Sequence, residues 1–411
     1  MDKNLRAHAD AIVAASIKAV LPDEAVSRAL AGKEFPGRVL LVSAGKAAWQ
    51  MAKAAYDFWG DRIENGVVVT KYDHVMGPIG NFACFEAGHP VPDENSFKGT
   101  QAALDLVSGL TEKDTVLFLL SGGGSALFEK PLVPGEVLQD ITGQLLACGA
   151  DIVEINTIRK RLSAVKGGRF AQHCAPAQVF SIVLSDILGD PLDMIASGPA
   201  VPDTATKEQA LAIAKKYDLK MPDFAWDLLE KETPKELSNV TTQINGSVRE
   251  LCVAAAAACR ELGYEPIMLT DQLCCQAKEA GSFLASVLKT HAGSGKNLAF
   301  QAGGETVVHL TGKGKGGRNQ ELALAAAVGI AGIPGAAVFS VGSDGTDGPT
   351  DAAGGYTDYT TAAELKAQGI EIFDVLKQND AFHALQKVGG LVYTGPTGTN
   401  VNDVAVALLK A

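Results

Sequence analysis

The sequence predicts an α/β protein of two domains, and three observations carry that prediction. The chain has 411 residues, more than one ordinary domain holds. Short apolar runs recur between longer helical stretches, among them 38–43 (RVLLVS), 115–120 (TVLFLL) and 179–184 (VFSIVL). Strands that alternate with helices imply a mainly parallel sheet covered on both faces. Glycine is plentiful at 44 residues and aromatics make up only 6%, which suits alanine- and valine-rich layers joined by tight loops. Hydrophobic residues at 47% and charged residues at 20% fit full globular cores.

The elements follow in order. Residues 1–31 read as helical, with Leu5, Ile12, Val13, Ile17 and Val20 on one face; Asp2, Lys3, Arg6 and Asp10 break any signal-peptide core. A buried strand over 38–43 ends in Ala44-Gly45-Lys46, and a helix runs over 47–59. Strands are predicted at 67–70 and 82–86. The loop Gly88-His89-Pro90-Val91-Pro92-Asp93 should cap the helix that continues through Val107. The strand at 115–120 ends in Ser121-Gly122-Gly123-Gly124-Ser125. Two helical segments follow, the second carrying Asn156, Arg159, Lys160, Lys166 and Arg169. The strand at 179–184 ends in a loop with Ser185, Asp186 and Asp190, and 200–240 reads as helices and a connector punctuated by Pro202, Pro222 and Pro234. The expected domains are 1–238 and 239–411. The second should contain helices at 247–262 and 273–292, strands at 265–269, 298–302 and 305–310, and a helix from Arg318. It continues with a strand at 336–341, helices at 361–368 and 375–388, a short strand at 391–393 and a final helix over 404–410, with the option of packing back on the first domain. No internal repeat or low-complexity tract is present.

The net charge of −11 argues against nucleic-acid binding, so the cations Lys313, Lys315 and Arg318 stand out. Seven cysteines form no CxxC pair and no metal-ligand spacing, which implies reduced thiols and a cytoplasmic setting. Residues 322–341 carry no charge, but Pro334 between Gly332 and Gly335 divides them into a helix, a turn and a strand, so no membrane span is expected.

The stretch 302–324 (AGGETVVHLTGKGKGGRNQELAL) organises the functional reading. A strand, a glycine-and-lysine loop and a helix start make an anion site, because free amides and the helix amino end carry partial positive charge. A tight turn with solvated lysines is the plainer reading. Gly312-x-Gly314-x-x-Gly317 also matches the dinucleotide fingerprint. The interleaved lysines are unusual there, and Asp344 lies 27 residues beyond Gly317 against the roughly 20 expected for the ribose acid. Asp344, Asp347 and Asp351 share one glycine-rich loop after a strand, which suits either Mg²⁺ ligation or turn capping. Ser121–Ser125 fails the hydrolase elbow G-x-S-x-G and reads better as an amide cradle for phosphate or carboxylate. Gly293-Ser294-Gly295-Lys296 fails the P-loop pattern and is a turn. Lys46 either neutralises a phosphate or flanks a helix start. His89 reads as structural. In open parallel sheets ligands sit at the carboxyl ends of strands, so Lys46, Ser121–Ser125 and Asp186 should converge.

These motifs together resemble one family. They are Gly45-Lys46-Ala47, the 88–93 loop, Ser121–Ala126, Asn156–Lys160 with Lys166–Arg169, Ser185-Asp186 with Gly189-Asp190, Ser197-Gly198-Pro199, Gly303-Gly304-Glu305, Gly316–Glu321, Ser343–Gly348 and Thr397–Asp403. The chain resembles the class II glycerate 2-kinases, whose carboxy-terminal part is the MOFRL domain, over nearly its whole length. The resemblance implies a Rossmann-like larger domain, a smaller α/β domain and an active-site cleft between them. It also implies ATP- and Mg²⁺-dependent phosphorylation of D-glycerate at the 2-hydroxyl.

On that reading Lys46 and Arg318 lie on the phosphates or the glycerate carboxylate. Ser121, Gly122, Gly123, Gly124 and Ser125 hold one of those anions. Asp186 orients or deprotonates the 2-hydroxyl, with Asp190 in reserve. Lys313, Lys315, Gly316, Gly317, Asn319, Thr399 and Asn400 line the substrate or phosphate site, and Glu305 supports Arg318 or the metal. Asp344, Asp347 or Asp351 holds Mg²⁺. The partners expected are D-glycerate and a nucleotide, with no nucleic acid and no membrane; assembly is open, a homodimer included. The alternative is an NAD(P)H-dependent hydroxypyruvate reductase using the 312–317 fingerprint. A non-catalytic sugar-acid or nucleotide sensor is a third reading, and the acidic loops weigh against it.

Overall fold

The computed structural model describes residues 1–411. It divides into two compact units, Pro22–Asn245 and Met1–Leu21 with Gly246–Ala411.

The first unit is built on β1 (Val39–Ala44), β2 (Ile63–Lys71), β3 (Ala83–Ala87), β4 (Thr115–Leu120), β5 (Gln178–Leu184) and β6 (Val240–Gly246). Their order is β3-β2-β1-β4-β5-β6. β1 pairs in parallel with both β2 and β4, and the β2–β3 and β4–β5 pairs are parallel too. This is the doubly wound order, and the direction of winding reverses between β1 and β4. Every residue of β1 and β4 is buried. Alternate side chains enter opposite cores: Leu40 and Val42 join Ala103, Phe118 and Phe170 on one face, while Val39 and Leu41 join Met51, Ala55 and Leu119 on the other. Asp93 caps the helix Glu94–Leu106 by accepting from the amides of Asn95 and Ser96, which fixes the 88–93 loop against the sheet.

The boundary falls later than expected. Residues 240–246 complete the first sheet as β6 rather than opening the second domain. The amino-terminal helix Lys3–Ala19 belongs to the second unit. Its apolar face, Leu5, Ile12, Val13 and Ile17, packs with Leu251, Cys252 and Ala255 of the helix Val248–Glu261.

The second unit carries β7 (Glu265–Leu273), β8 (Leu298–Gly304), β9 (Ala336–Gly342), β10 (Gly354–Asp358), β11 (Leu391–Val392) and β12 (Asp403–Leu409), in the order β11-β10-β9-β12-β8-β7. The sheet is mixed: β12 runs antiparallel to both β8 and β9, and β7 runs parallel to β8. The expected final helix over 404–410 is therefore a central strand of this sheet, wholly buried. Seven residues buried on both faces satisfy their backbone through two neighbouring strands. The expected strand at 305–310 is also absent. The chain leaves the sheet at Gly304, and only an isolated bridge between Gln276 and Val307 remains. β10, unpredicted, pairs with β9. The helix expected over 375–388 is two helices, Ile372–Lys377 and Ala381–Lys387, interrupted where Asn379 turns left-handed at φ 53°. No helix is long and apolar enough to cross a membrane.

Candidate active site

In the first unit, the ends of β1 and β4 lie side by side at the reversal point. The Ser121 amide donates to the Ala44 carbonyl at 3.0 Å and the Lys46 amide to the Gly122 carbonyl at 2.8 Å. The Ala47 amide donates to Ser121 Oγ at 3.0 Å. Gly45 has φ +126°, and a Cβ there would stand 2.3 Å from Ser121 Oγ, so only glycine lets the two strand ends meet so closely.

Three polar side chains crowd the loop that follows. A Cβ on Gly122 would lie 2.2 Å from Asp186 Oδ2. A Cβ on Gly123 would lie 3.0 Å from His89 Cδ2 and 3.1 Å from Lys46 Cγ. Lys46, Ser121–Ser125 and Asp186 are thus brought together, with His89 beside them. Burial, then the charges of Lys46 and Lys71, holds the His89 imidazole below its ordinary pKa. The amides of Gly122, Gly123, Gly124 and Ser125 make no hydrogen bond within the chain. With Gly123 left-handed at φ +84°, consecutive free amides form a concave anion cradle.

Buried charges support this loop from beneath. Lys166 Nζ donates to the carbonyls of Ser125 at 2.9 Å and Phe128 at 3.1 Å, and lies 3.3 Å from Glu129 Oε2. Complete burial pulls its pKa down to about 8. Arg159 Nη2 donates to the same Ser125 carbonyl at 3.0 Å. Ser125 Oγ lies 3.3 Å from Ser197 Oγ, which donates to Asn156 Oδ1 at 3.0 Å. Asp190 turns left-handed at φ 51°, and its Oδ1 is buried without a hydrogen-bond partner. Arg159, Lys166 and Ser197 were visible in the sequence as motif members but had no role there.

In the second unit the centre is Arg318. Its Nε and Nη2 donate to Asp403 Oδ2 and Oδ1 at 2.6 and 3.0 Å, and Nη1 donates to Glu305 Oε1 at 2.7 Å. Burial opposes the Arg318 charge, yet Asp403 and then Glu305 hold its pKa above the ordinary value. Asp403 itself is raised, by burial first. A groove of about 810 Å³ in this unit is lined by Glu305, Leu310, Gly316, Gly317, Arg318 and Asp344.

The glycine-and-lysine loop is less open than its composition suggests. The amides of Thr311 and Gly312 both donate to Asn379 Oδ1 at 2.8 Å, Gly314 to the Gln378 carbonyl at 2.8 Å and Lys315 to Asp380 Oδ1 at 2.8 Å. A Cβ on Gly312 would lie 2.3 Å from the Gln378 carbonyl oxygen, and one on Gly314 would lie 2.4 Å from Asp380 Cβ. These glycines permit close packing on 378–380 and do not form a strand-to-helix dinucleotide turn, which removes the geometric basis of the reductase reading. Lys315 Nζ sits 4.4 Å over the Phe382 ring and Lys313 is exposed. Gly312, Gly314, Gly316 and Gly317 all line the groove with Arg318, while the lysines between them point their charge elsewhere or into solvent.

The three candidate metal aspartates do not converge. The Asp347 carboxylate accepts from the amides of Asn319 and Gln320 at 3.1 and 2.9 Å and from Asn319 Nδ2 at 3.3 Å. It caps the helix Arg318–Ile330, and burial pushes its pKa up to about 6. Asp344 accepts from the Thr346 amide at 3.0 Å, and Asp351 is exposed. No group of three or more His, Cys, Asp or Glu side chains has a metal-binding arrangement. Asn319 is buried and also accepts from Ser340 Oγ at 2.5 Å. Thr399 Oγ1 donates to the Val20 carbonyl at 2.9 Å, so it fastens the amino-terminal helix, and Asn400 accepts from the Asn402 amide at 3.3 Å.

Comparison with known proteins decides among the readings. A domain of unknown function, DUF4147, matches residues 8–230, and the MOFRL family matches residues 298–403. A D-glycerate 2-kinase of Thermotoga maritima is 52% identical over 413 aligned residues, covering 99% of each chain. The chain belongs to the glycerate 2-kinase family. A glycerate 2-kinase of Pyrococcus horikoshii is 42% identical, covering 97% of this chain and 96% of its own. The crystal structure of a Thermotoga maritima glycerate kinase superposes with a TM-score of 0.94 over all of both chains. The carboxylates of this family member do not fit a magnesium ion held by the protein alone, since no three of them are grouped and the Asp347 oxygens accept from the Asn319 and Gln320 amides.

Proposed function

We propose that the chain transfers the γ-phosphoryl group of ATP to the 2-hydroxyl of D-glycerate, giving 2-phospho-D-glycerate and ADP. The observation that carries the residue assignment is the cluster at the ends of β1 and β4: unbonded amides of Gly122–Ser125 with Lys46 and Asp186 against them. Phosphoryl transfer depends mainly on positioning and on neutralising charge over the transferring oxygens.

The acceptor is held in the first unit, where the amide cradle and Lys46 neutralise anionic oxygens. Asp186 accepts the 2-hydroxyl proton as that oxygen forms the new P–O bond and the bond to ADP breaks; Asp190 is the reserve base. His89, its pKa below the ordinary value, stays neutral and shapes the pocket. Arg318, clamped by Asp403 and Glu305, presents its charge to the phosphates with the Gly316 and Gly317 amides. The nucleotide enters as its magnesium complex. All seven cysteines are free thiols, which supports a reducing, cytoplasmic setting.

The test is ADP release from ATP, Mg²⁺ and D-glycerate, read through pyruvate kinase and lactate dehydrogenase. Turnover that requires D-glycerate supports the reading. No ADP, together with NAD(P)H oxidation on hydroxypyruvate, would transfer the chain to the reductase reading.

A further inference from the structure

The helix Ile152–Arg161 ends in three cations, Arg159, Lys160 and Arg161. Two are compensated. Lys160 Nζ lies 3.1 Å from Asp203 and 3.5 Å from Asp193. Arg161 lies 3.7 Å from Asp203 and 3.2 Å from Glu232. Arg159 is not: its nearest carboxylate is Glu129 at 4.0 Å, which already serves Lys166 at 3.3 Å. Arg159, Lys166 and Glu129 therefore leave one net positive charge beneath the Ser121–Ser125 loop.

Arg159 also keeps donors in hand. Its side chain is 14% exposed, its Nε is buried with no partner, and its one hydrogen bond goes to the Ser125 carbonyl. A guanidinium withdrawn from water with unused donors is costly unless an anion completes it. The groups around it are polar and fixed. Asn156, one turn earlier on the same helix, accepts from Ser197, whose hydroxyl meets Ser125. Ala196 and Ser197 are both left-handed, at φ 51° and 61°, a conformation that non-glycine residues hold only where their surroundings impose it.

We propose that Arg159 recognises the carboxylate of the hydroxy-acid acceptor, with Ser125 and Ser197 as neighbouring hydroxyl partners. A planar carboxylate suits the guanidinium fork. The acceptor hydroxyl sits on the carbon next to that carboxylate, so anchoring at Ser125 directs it along the loop toward Gly122 and Asp186. This rests on the glycerate kinase reading and specifies which residue selects an acid over a neutral polyol.

The experiment compares calorimetric binding of D-glycerate and of D-glyceramide, its uncharged isostere, in the full-length wild type, Arg159→Gln and Arg159→Lys. Wild type should prefer the acid by about 10- to 100-fold, the range for hydrogen bonds to charged groups. In Arg159→Gln that preference should fall to within about threefold of unity while the KM for ATP stays unchanged; Arg159→Lys should recover part of it. An unchanged preference in Arg159→Gln, or equal weakening of both ligands, would reduce Arg159 to a prop for the loop and overturn the proposal. If Arg159→Gln does not fold, Arg159→Lys decides, since full wild-type preference without the fork would overturn it as well. Absence of turnover on D-glycerate in the wild type would instead count against the kinase reading, and the binding ratio is read independently of it.

Discussion

Arg318 and Asp403 meet fork to fork, Nε to Oδ2 at 2.6 Å and Nη2 to Oδ1 at 3.0 Å, although 85 positions separate them in the chain. Arg318 opens a helix and Asp403 opens the central strand β12. The pair leaves Nη1, shared with exposed Glu305, as the edge available to a phosphate. Arg318→Lys keeps the charge and loses the fork, so turnover should fall at least about 10-fold. Asp403→Asn should lower kcat by a similar factor without unfolding the protein. Steady-state kinetics beside a thermal melt checks both, and wild-type kcat in either variant would remove the pair from the site.

Gly122→Ala probes the acceptor side. The added methyl would stand 2.2 Å from Asp186 Oδ2, so the carboxylate must move. A displacement of about 1 Å at a reacting group costs on the order of 100-fold. We expect kcat/KM for glycerate to fall by that order with the melting temperature nearly unchanged. Unaltered kinetics would place Asp186 outside the reaction.

Gly314→Ala tests the opposite role for glycine. Its Cβ would press on Asp380 at 2.4 Å and on the Gln378 carbonyl at 2.6 Å. Overpacking of this kind costs about 1–3 kcal/mol, so the melting temperature should drop by several degrees. The glycerate KM should hold. A large rise in the ATP KM without loss of stability would instead restore this stretch as a phosphate cradle.

Lys166 gives the pH dependence. Its folded pKa, about 8, lies below the ordinary 10.5 because the amine is buried. The sign follows: its contribution to stability is present above 10.5 and is lost as pH falls through about 8. For activity the direction is reversed, since the positive charge under the loop disappears above 8. The glycerate KM should rise roughly 10-fold between pH 7 and pH 9, and Lys166→Arg should move that rise to higher pH. A flat KM in the wild type would contradict it.

The first sheet was legible where strands are covered on both faces. β1, β4 and β5 are continuous apolar runs, and their polar ends announced Lys46, Ser121 and Asp186. β6 (VTTQING) alternates weakly after a proline-rich approach and gave no such signal. The run DVAVALL fits a helix or a strand equally by periodicity, and only its neighbours β8 and β9 settle it. The apolar stripe of the amino-terminal helix was plain, but not which core it completes. In the site, partners far apart in the chain were hidden: Asp403 for Arg318, and Arg159 for Ser125. The packing role of the 312–317 glycines was hidden, because close packing on 378–380 needs the same residue that a phosphate would.

The central claim is phosphorylation at the 2-hydroxyl. The most direct measurement couples the reaction with D-glycerate, ATP and Mg²⁺ to enolase with no phosphoglycerate mutase present, because enolase accepts only the 2-phosphate. The account predicts immediate phosphoenolpyruvate formation that is unaffected by added mutase. Signal that appears only once mutase is added would mean transfer to the 3-hydroxyl and would contradict it.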